Sequence, residues 1–139
     1  MENLRRERYV GAVSKLAESV FDFHDKFQVP ELDTIYDSDN KELVLETLRR
    51  RLSFLTEEVG EHSRALNRIE LLNAVEEIVD VAYVALGTIL VLGEQGDNAC
   101  HDVSSKNNSK KADSRKDDNE EKLINKDKIF DAKKEAVVV

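Results

Sequence analysis

A chain of 139 residues is long enough for one domain with a buried core. Charged residues make up 36% of it and aromatic residues 6%, and one Pro and five Gly are too few for the many turns of an all-β protein. The formal net charge of −8 arises in residues 1–96, which hold eleven basic and nineteen acidic residues, since residues 97–139 hold ten of each. An acidic body repels nucleic acid and anionic lipid, which argues against a DNA-binding protein.

Nothing in the sequence points to secretion or to a membrane span. The first ten residues, MENLRRERYV, lack the apolar run of a signal peptide, and the longest apolar run, residues 78–92, is too short to cross a bilayer comfortably. The single cysteine, Cys100, excludes an internal disulfide. We therefore expect a soluble, cytoplasmic protein that has no membrane partner and binds no nucleic acid.

The first predicted element is a helix over residues 2–27, in which apolar residues recur mostly at steps of three and four. A loop follows, in which Pro30 disfavours helix and a run of Asp, Ser and Asn favours turns. The second helix is predicted over about 41–67. Asp39, with Glu42 three residues later, resembles a capping box at the start of that helix.

The second helix carries an apolar seam with alternating steps of three and four residues, the pattern of an antiparallel bundle. The seam consists of Leu45, Leu48, Leu52, Leu55, Val59, His62 and Leu66. After a short turn, a third helix is predicted over about 69–94 and is ended by Gly93 and Gly96. Its apolar arc is wider than that of the second helix, so we expect it to be the most buried element.

From Asp97 the chain becomes polar. A short fourth helix is predicted over about 98–105, and residues 111–139 are expected to form a charged tail that is mobile or weakly helical. The predicted domain therefore covers residues 1–110. Long helices joined by short turns indicate an all-α fold, an antiparallel helical bundle of the four-helix type.

Three glutamates, Glu57, Glu58 and Glu61, crowd one turn of the second helix. Spacings of three and four residues let pairs of them share a helix face, and Glu58 and Glu61 border the apolar seam. A solvated acidic face would explain these residues by themselves, because glutamate-rich helices are common.

The third helix repeats this feature in AVEEIVDVAYVALG, where Glu77 and Asp80 are three residues apart. Apolar residues surround Asp80 in sequence, so we expect it to be partly buried and to need a partner. A short turn joins the two helices, so they should pack antiparallel. Glu61 then lies level with Glu77, and Glu58 lies level with Asp80. Carboxylate oxygens without His or Cys select Mg²⁺, with Mn²⁺ as a substitute, over Zn²⁺.

The motifs E-E-x-x-E (57–61) and E-x-x-D (77–80) resemble those of the all-α nucleoside triphosphate pyrophosphatases, the MazG-like group, which includes phosphoribosyl-ATP pyrophosphatase and the dimeric dUTPases. The stretch EEVGEHSRALNR…EEIVDVAYVALGT is close to the family pattern over roughly residues 45–92. The resemblance implies Mg²⁺-dependent hydrolysis of a nucleoside triphosphate to the monophosphate and pyrophosphate, as in enzymes that control nucleotide pools. It also implies a homodimer or homotetramer with the active site near a subunit interface.

The resemblance suggests roles for the acidic residues. The expected metal ligands are Glu58, Glu61, Glu77 and Asp80. Glu57 is expected to orient or deprotonate the attacking water.

Three further residues are candidates for substrate binding. His24, in FHDKF, could contact the base or a phosphate, although a surface or interface histidine is more common at such a position. Asn107 and Lys110 form an N-x-S-K element that, in phage and bacterial relatives, tends to sit near the nucleotide. The alternative for this pair is a flexible polar tail. His62 continues the seam, so we expect a packed histidine there and not a ligand.

Two other functions stay open. A related enzyme of the same fold would act on dUTP or on a phosphoribosyl-nucleotide, and the metal motif does not separate these substrates because base recognition lies elsewhere. A non-catalytic helical bundle would bind metal without turnover. Release of pyrophosphate from a panel of nucleotides distinguishes the enzymes from the bundle.

Overall fold

The computed structural model of the protein describes residues 2–32 and 38–110. They form four α-helices with no strand in these two ranges, so the predicted all-α class is confirmed. The helices are α1 (Glu2–Lys26), α2 (Lys41–Asn67), α3 (Leu71–Val91) and α4 (Glu94–Asn108), with a 3-10 turn over Ser38–Asn40 before α2. The chain divides into two compact units, one ending at Ala99 and one beginning at Cys100. The predicted tail, 111–139, lies outside the described residues.

Helix ends differ from the prediction around the two glycines. Gly93 ends α3 as expected, since its φ of +61° lies in the left-handed region that favours glycine after a helix. Gly96 instead lies inside α4, which is longer than predicted. A Cβ there would collide with the carbonyl oxygen of Ile89. Gly96 therefore serves the close approach of two helices and not a helix end.

The predicted capping box at α2 is wrong. The residue at the N-cap position is Asn40, and its side chain makes no capping hydrogen bond. The 3-10 turn occupies three residues before the helix and moves the helix start one residue beyond the position that Asp39 would cap. Local sequence resembles a cap here, but the backbone of the preceding turn decides where α2 begins.

Within the first unit, α3 packs against both α1 and α2. Helix α2 runs antiparallel to α3. The contact that shows this lies near the turn that joins the two helices, where the imidazole Nδ1 of His62 donates to the carbonyl of Ala74 over 2.8 Å. The half-buried His62 therefore packs as expected. Helix α1 runs parallel to α3, since the Tyr83 hydroxyl donates to the Ser19 carbonyl over 3.2 Å and His24 lies against Gly87 further along both helices.

The side of α2 that faces α3 matches the predicted seam only in part. One line of residues spaced seven apart along α2 is buried or half-buried, and it consists of Val44, Arg51, Glu58 and Ala65. The apolar line next to it, one residue further along, is exposed and consists of Leu45, Leu52, Val59 and Leu66. The other three seam residues, Leu48, Leu55 and His62, are half-buried, so the buried face keeps part of the predicted seam and replaces the rest with the residues one position earlier. The periodicity identified apolar residues correctly but did not show which of them α3 covers.

Helix α3 is the most buried helix only in its second half. From residue 81 to Val91 every residue is buried or half-buried. In the first half, Leu71, Leu72 and Val75 are exposed, and Leu72 retains 87% of its accessible surface. None of the described helices is long and apolar enough to cross a membrane.

Candidate functional site

Three carboxylates meet where α2 and α3 pack together. Glu58 from α2 and Glu77 and Asp80 from α3 each place one oxygen so that all three oxygens lie within 4.8 Å of one another. No Lys or Arg among residues 2–32 and 38–110 forms an ion pair with them. Three like charges at this separation repel one another, so the arrangement calls for a cation or for protonation.

Burial within the cluster differs from the prediction. Asp80, expected to be partly buried, is exposed in the single chain, whereas Glu58 and Glu77 are half-buried. Apolar neighbours in sequence did not enclose Asp80, because Ile78 and Val79 are themselves exposed. The most shielded oxygen is Oε2 of Glu77, which is buried and has no hydrogen-bond partner among the described residues. A carboxylate oxygen removed from water without a partner destabilises the fold unless a positive charge reaches it.

The electrostatics of the site agree with this geometry. Removal from water raises the pKa of Glu77 above its ordinary value of 4.5, and the negative charges of Glu61 and Asp80 raise it further. Removal from water also raises the pKa of Glu58, followed by the charges of Glu61 and Asp80. Both carboxyl groups are thus held in surroundings that favour a neutralising proton or cation.

Glu61 and Glu57 lie beside the three central carboxylates at different distances. Glu61 is half-buried and, of the neighbouring charges, has the largest effect on the pKa of both Glu58 and Glu77, although it is not among the three mutually close residues. Glu57 is exposed, and of the charges that act on Glu58 its effect is the smallest. Glu57 therefore lies at the outer edge of the cluster, open to solvent.

The donor set fits a hard divalent cation. All the donors are carboxylate oxygens, the ligands that Mg²⁺ and Mn²⁺ prefer, and no His or Cys is present to favour Zn²⁺. The buried, unpartnered oxygen of Glu77 gives an independent reason for a cation at this position. An exposed Asp80 leaves one side of the site open for a ligand.

The structure places His24 two helical turns away from the carboxylates. It is 7% exposed on α1 and lies against α3 at Gly87, beside Arg51 of α2. Neither Arg51 nor Gly87 is among the site residues predicted from the sequence. The sequence contains a spacing that could have pointed to them. Arg51 lies seven residues before Glu58 and thus on the same line of α2, and Gly87 lies seven residues after Asp80 on α3.

Asn107 and Lys110 lie in the second compact unit. Asn107 is in the last turn of α4, where its side-chain amide donates to the carbonyl of Val103 over 3.0 Å. Lys110 follows the helix and is exposed. The predicted role of this pair in substrate binding stays a prediction.

An all-α fold that brings acidic residues of E-E-x-x-E and E-x-x-D motifs together on an antiparallel helix pair defines a MazG-like pyrophosphohydrolase domain. The model of the phosphoribosyl-ATP pyrophosphohydrolase family matches residues 20–107, and the chain belongs to this family. Searches of the curated proteins and of the solved structures found no match. The match confirms the resemblance to the MazG-like superfamily, and it identifies an acid-anhydride hydrolase of the pyrophosphohydrolase type.

Proposed function

We propose that the protein hydrolyses nucleoside triphosphates between the α and β phosphates, with Mg²⁺ as cofactor, and releases a nucleoside monophosphate and pyrophosphate. The observation that carries the proposal is that three carboxylate oxygens lie within 4.8 Å of one another. One of these three residues, Glu77, also has a buried oxygen without a hydrogen-bond partner. A triphosphate chain and this cluster are both strongly negative. They bind each other only through cations that reverse the local charge.

The proposed role of each acidic residue follows from its position in the cluster. Glu58, Glu77 and Asp80 would hold the cation, and the adjacent Glu61 would add a fourth carboxylate on the α2 side. When bound, Mg²⁺ supplies Lewis-acid polarisation of the phosphoryl group. Glu57 is exposed at the edge of the cluster, where it orients the attacking water or accepts its proton.

The second candidate substrate is a phosphoribosyl-nucleotide, and the family match favours it. Phosphoribosyl-ATP retains a triphosphate chain, so its hydrolysis breaks the same bond and uses the carboxylates in the same way. The two candidate substrates differ at the end away from the triphosphate chain, which the enzyme must also recognise. Both reactions belong in the cytoplasm, where nucleotides carrying this chain are made and used.

A panel of canonical and modified nucleoside triphosphates, dUTP and phosphoribosyl-ATP tests the proposal. With Mg²⁺ present we expect pyrophosphate, and not orthophosphate, as the inorganic product. A preference for phosphoribosyl-ATP would select the second candidate. No pyrophosphate from any member would contradict both and identify a non-catalytic metal-binding bundle.

We also propose that the protein works as a homodimer or homotetramer through the tip of the α2–α3 hairpin. Ile69, in the turn, is 78% exposed and has a φ of +59°, which costs a β-branched residue about 1–2 kcal/mol. Leu66, Leu72 and Val75 are exposed around it. A glycine would avoid the strain, so an apolar side chain here indicates a surface that a second copy covers.

Light scattering is expected to give two or four times the chain mass of 15.8 kDa. Leu72→Glu should shift the protein towards the monomer, because a charge at a covered apolar surface is strongly unfavourable. Leu43→Glu is the matched control, since Leu43 is also exposed but lies at the opposite end of α2. A wild-type monomer at micromolar concentration would contradict the proposal.

A further inference from the structure

Helix α1 is held to the rest of the first unit by a small contact with α3. Of the residues of α1, only Val20 and His24 are buried, and Leu16 is half-buried, four residues apart along one side of the helix. All the residues of α1 before Leu16 are exposed. An element with few buried side chains opens at a lower cost in free energy than the more extensive contact between α2 and α3. A change at His24 therefore affects the attachment of α1 more than it affects the α2–α3 pair.

The absence of a side chain at Gly87 lets His24 and Arg51 meet on α3. A Cβ at Gly87 would lie 2.5 Å from Arg51 Nη2 and 2.9 Å from His24 Nε2, so these two nitrogens are close neighbours. The guanidinium donates from Nη2 to the Val84 carbonyl over 2.7 Å and from Nε to the Thr88 hydroxyl over 3.0 Å. It cannot move away from the imidazole without losing both hydrogen bonds.

The imidazole of His24 has charged neighbours of both signs. They are the guanidinium of Arg51 on α2 and the carboxylates of Asp25 at the end of α1 and Glu31 in the following loop. Helix α3 faces the ring with the uncharged residues Gly87 and Leu90. Removal from water lowers the pKa of His24 below its ordinary value of 6.5, the charge of Arg51 lowers it further, and the charge of Glu31 opposes this to a smaller extent. The ring is therefore neutral at pH 7.

Protonation of His24 creates a conflict at this position. It places a second positive charge beside the Arg51 guanidinium, in a place that is largely removed from water, where like charges repel and neither is well hydrated. A cavity of 410 Å³, lined by Asp25 and Glu31, adjoins the ring. Movement of the imidazolium into this space, towards the two carboxylates, relieves the repulsion. The same movement takes one of the two buried side chains of α1 away from α3.

We propose that His24 and Arg51 form a pH-dependent switch in which protonation of the imidazole releases the second half of α1 from α3, while α2 and α3 stay paired. Above pH 6.5 the neutral ring holds α1 in place. The released helix binds a proton more readily than the docked helix, so a fall in pH below 6.5 favours release. One proton shifts this equilibrium by up to about tenfold for each pH unit between the two pKa values.

Hydrogen exchange of the full chain at pH 5 and pH 7.5, corrected for the intrinsic pH dependence of exchange, tests the switch. Protection of the amides of residues 20–26 should fall by about tenfold at pH 5, whereas protection of residues 81–91 in α3 should change by less than about twofold. The Tyr83 hydroxyl donates to the Ser19 carbonyl and so gives a second readout. In NMR, the ring signals of Tyr83 should shift with the same midpoint as those of His24.

Two variants assign the effect to the pair of side chains. His24→Gln replaces the imidazole with an amide that stays neutral, so α1 should remain protected at pH 5. Arg51→Met removes the neighbouring positive charge and should reduce the loss of protection, because protonation of His24 then meets less repulsion. His101→Gln is the matched control, since His101 is exposed on α4, and it should behave as the wild type.

Three results would overturn the switch. The first is equal protection of α1 at both pH values in the wild type, and the second is a simultaneous loss of protection in α1, α2 and α3. The third is a His24→Gln protein that releases α1 at pH 5 as the wild type does. If one of the two variants does not fold at pH 7.5, the other decides the assignment together with the NMR midpoint of the wild type.

Discussion

Asp80→Asn and Glu58→Gln are each expected to lower kcat/KM for pyrophosphate release by about 1,000-fold, which corresponds to about 4 kcal/mol of transition-state stabilisation. Each substitution keeps the shape of the side chain and replaces one charged oxygen ligand with a neutral amide. The remaining carboxylates hold the cation more weakly and in an altered position. The measurement is steady-state release of pyrophosphate over a range of Mg²⁺ concentrations.

The same substitutions are expected to stabilise the protein in the absence of metal. Each removes one negative charge from a cluster whose three oxygens lie within 4.8 Å of one another, so the repulsion in the folded state decreases. A loss of activity together with a gain in metal-free stability distinguishes a damaged cation site from a damaged fold. Chemical denaturation in EDTA measures this second effect.

Glu76→Gln is the matched control, because Glu76 precedes Glu77 on the same helix and is exposed. Its activity should stay within about twofold of the wild type, since it supplies no ligand. An Asp80→Asn or Glu58→Gln protein with full activity would remove that residue from the cation site. A variant that lost both activity and stability would indicate a structural role instead.

Mg²⁺ is expected to raise the free energy of unfolding by about 2.7 kcal/mol at a concentration one hundred times its dissociation constant. The cation binds the folded cluster, whereas the unfolded chain separates the same carboxylates. Thermal and chemical unfolding in EDTA and in Mg²⁺, at constant protein concentration, measure the difference. Glu77→Gln should lose most of it, because the buried oxygen of Glu77 is the one that most requires a positive charge.

The stability of the metal-free protein is also expected to depend on pH. The folded-state pKa values of Glu58 and Glu77 are raised above 4.5, so the folded state binds more protons than the unfolded state between 4.5 and those values. The contribution of these groups to stability is therefore present at low pH and is lost as the pH rises through the raised values. Saturating Mg²⁺ should remove this loss, because the cation replaces the proton.

The difference between wild type and Glu77→Gln isolates this effect from the other titrating groups. In EDTA, the wild type should lose stability relative to the variant as the pH rises above 4.5. A constant difference across this range, or no effect of millimolar Mg²⁺ on the wild type, would show that the carboxylates do not act as a cation site.

The sequence by itself determined the helices that carry the site and the pairing of their carboxylates. Steps of three and four residues are sufficient to define a helix face, and a short turn near residue 69 requires α2 and α3 to run antiparallel. Equal distances from that turn then bring Glu58 and Asp80 to one level. These conclusions depend on regular helix geometry, which is local and follows from spacing alone.

Only the tertiary structure decided how far each helix is rotated and what covers it. Leu52 and Val59 are apolar but exposed, while Arg51 and Glu58 face α3, because packing depends on the shape and polarity of a partner that a periodic pattern does not specify. The missing Cβ of Gly87 allows residues from three helices to meet in one place. Side chains far apart in sequence acquire their burial and charge environment from such contacts, and for this reason the shielded carboxylate is Glu77 and not Asp80.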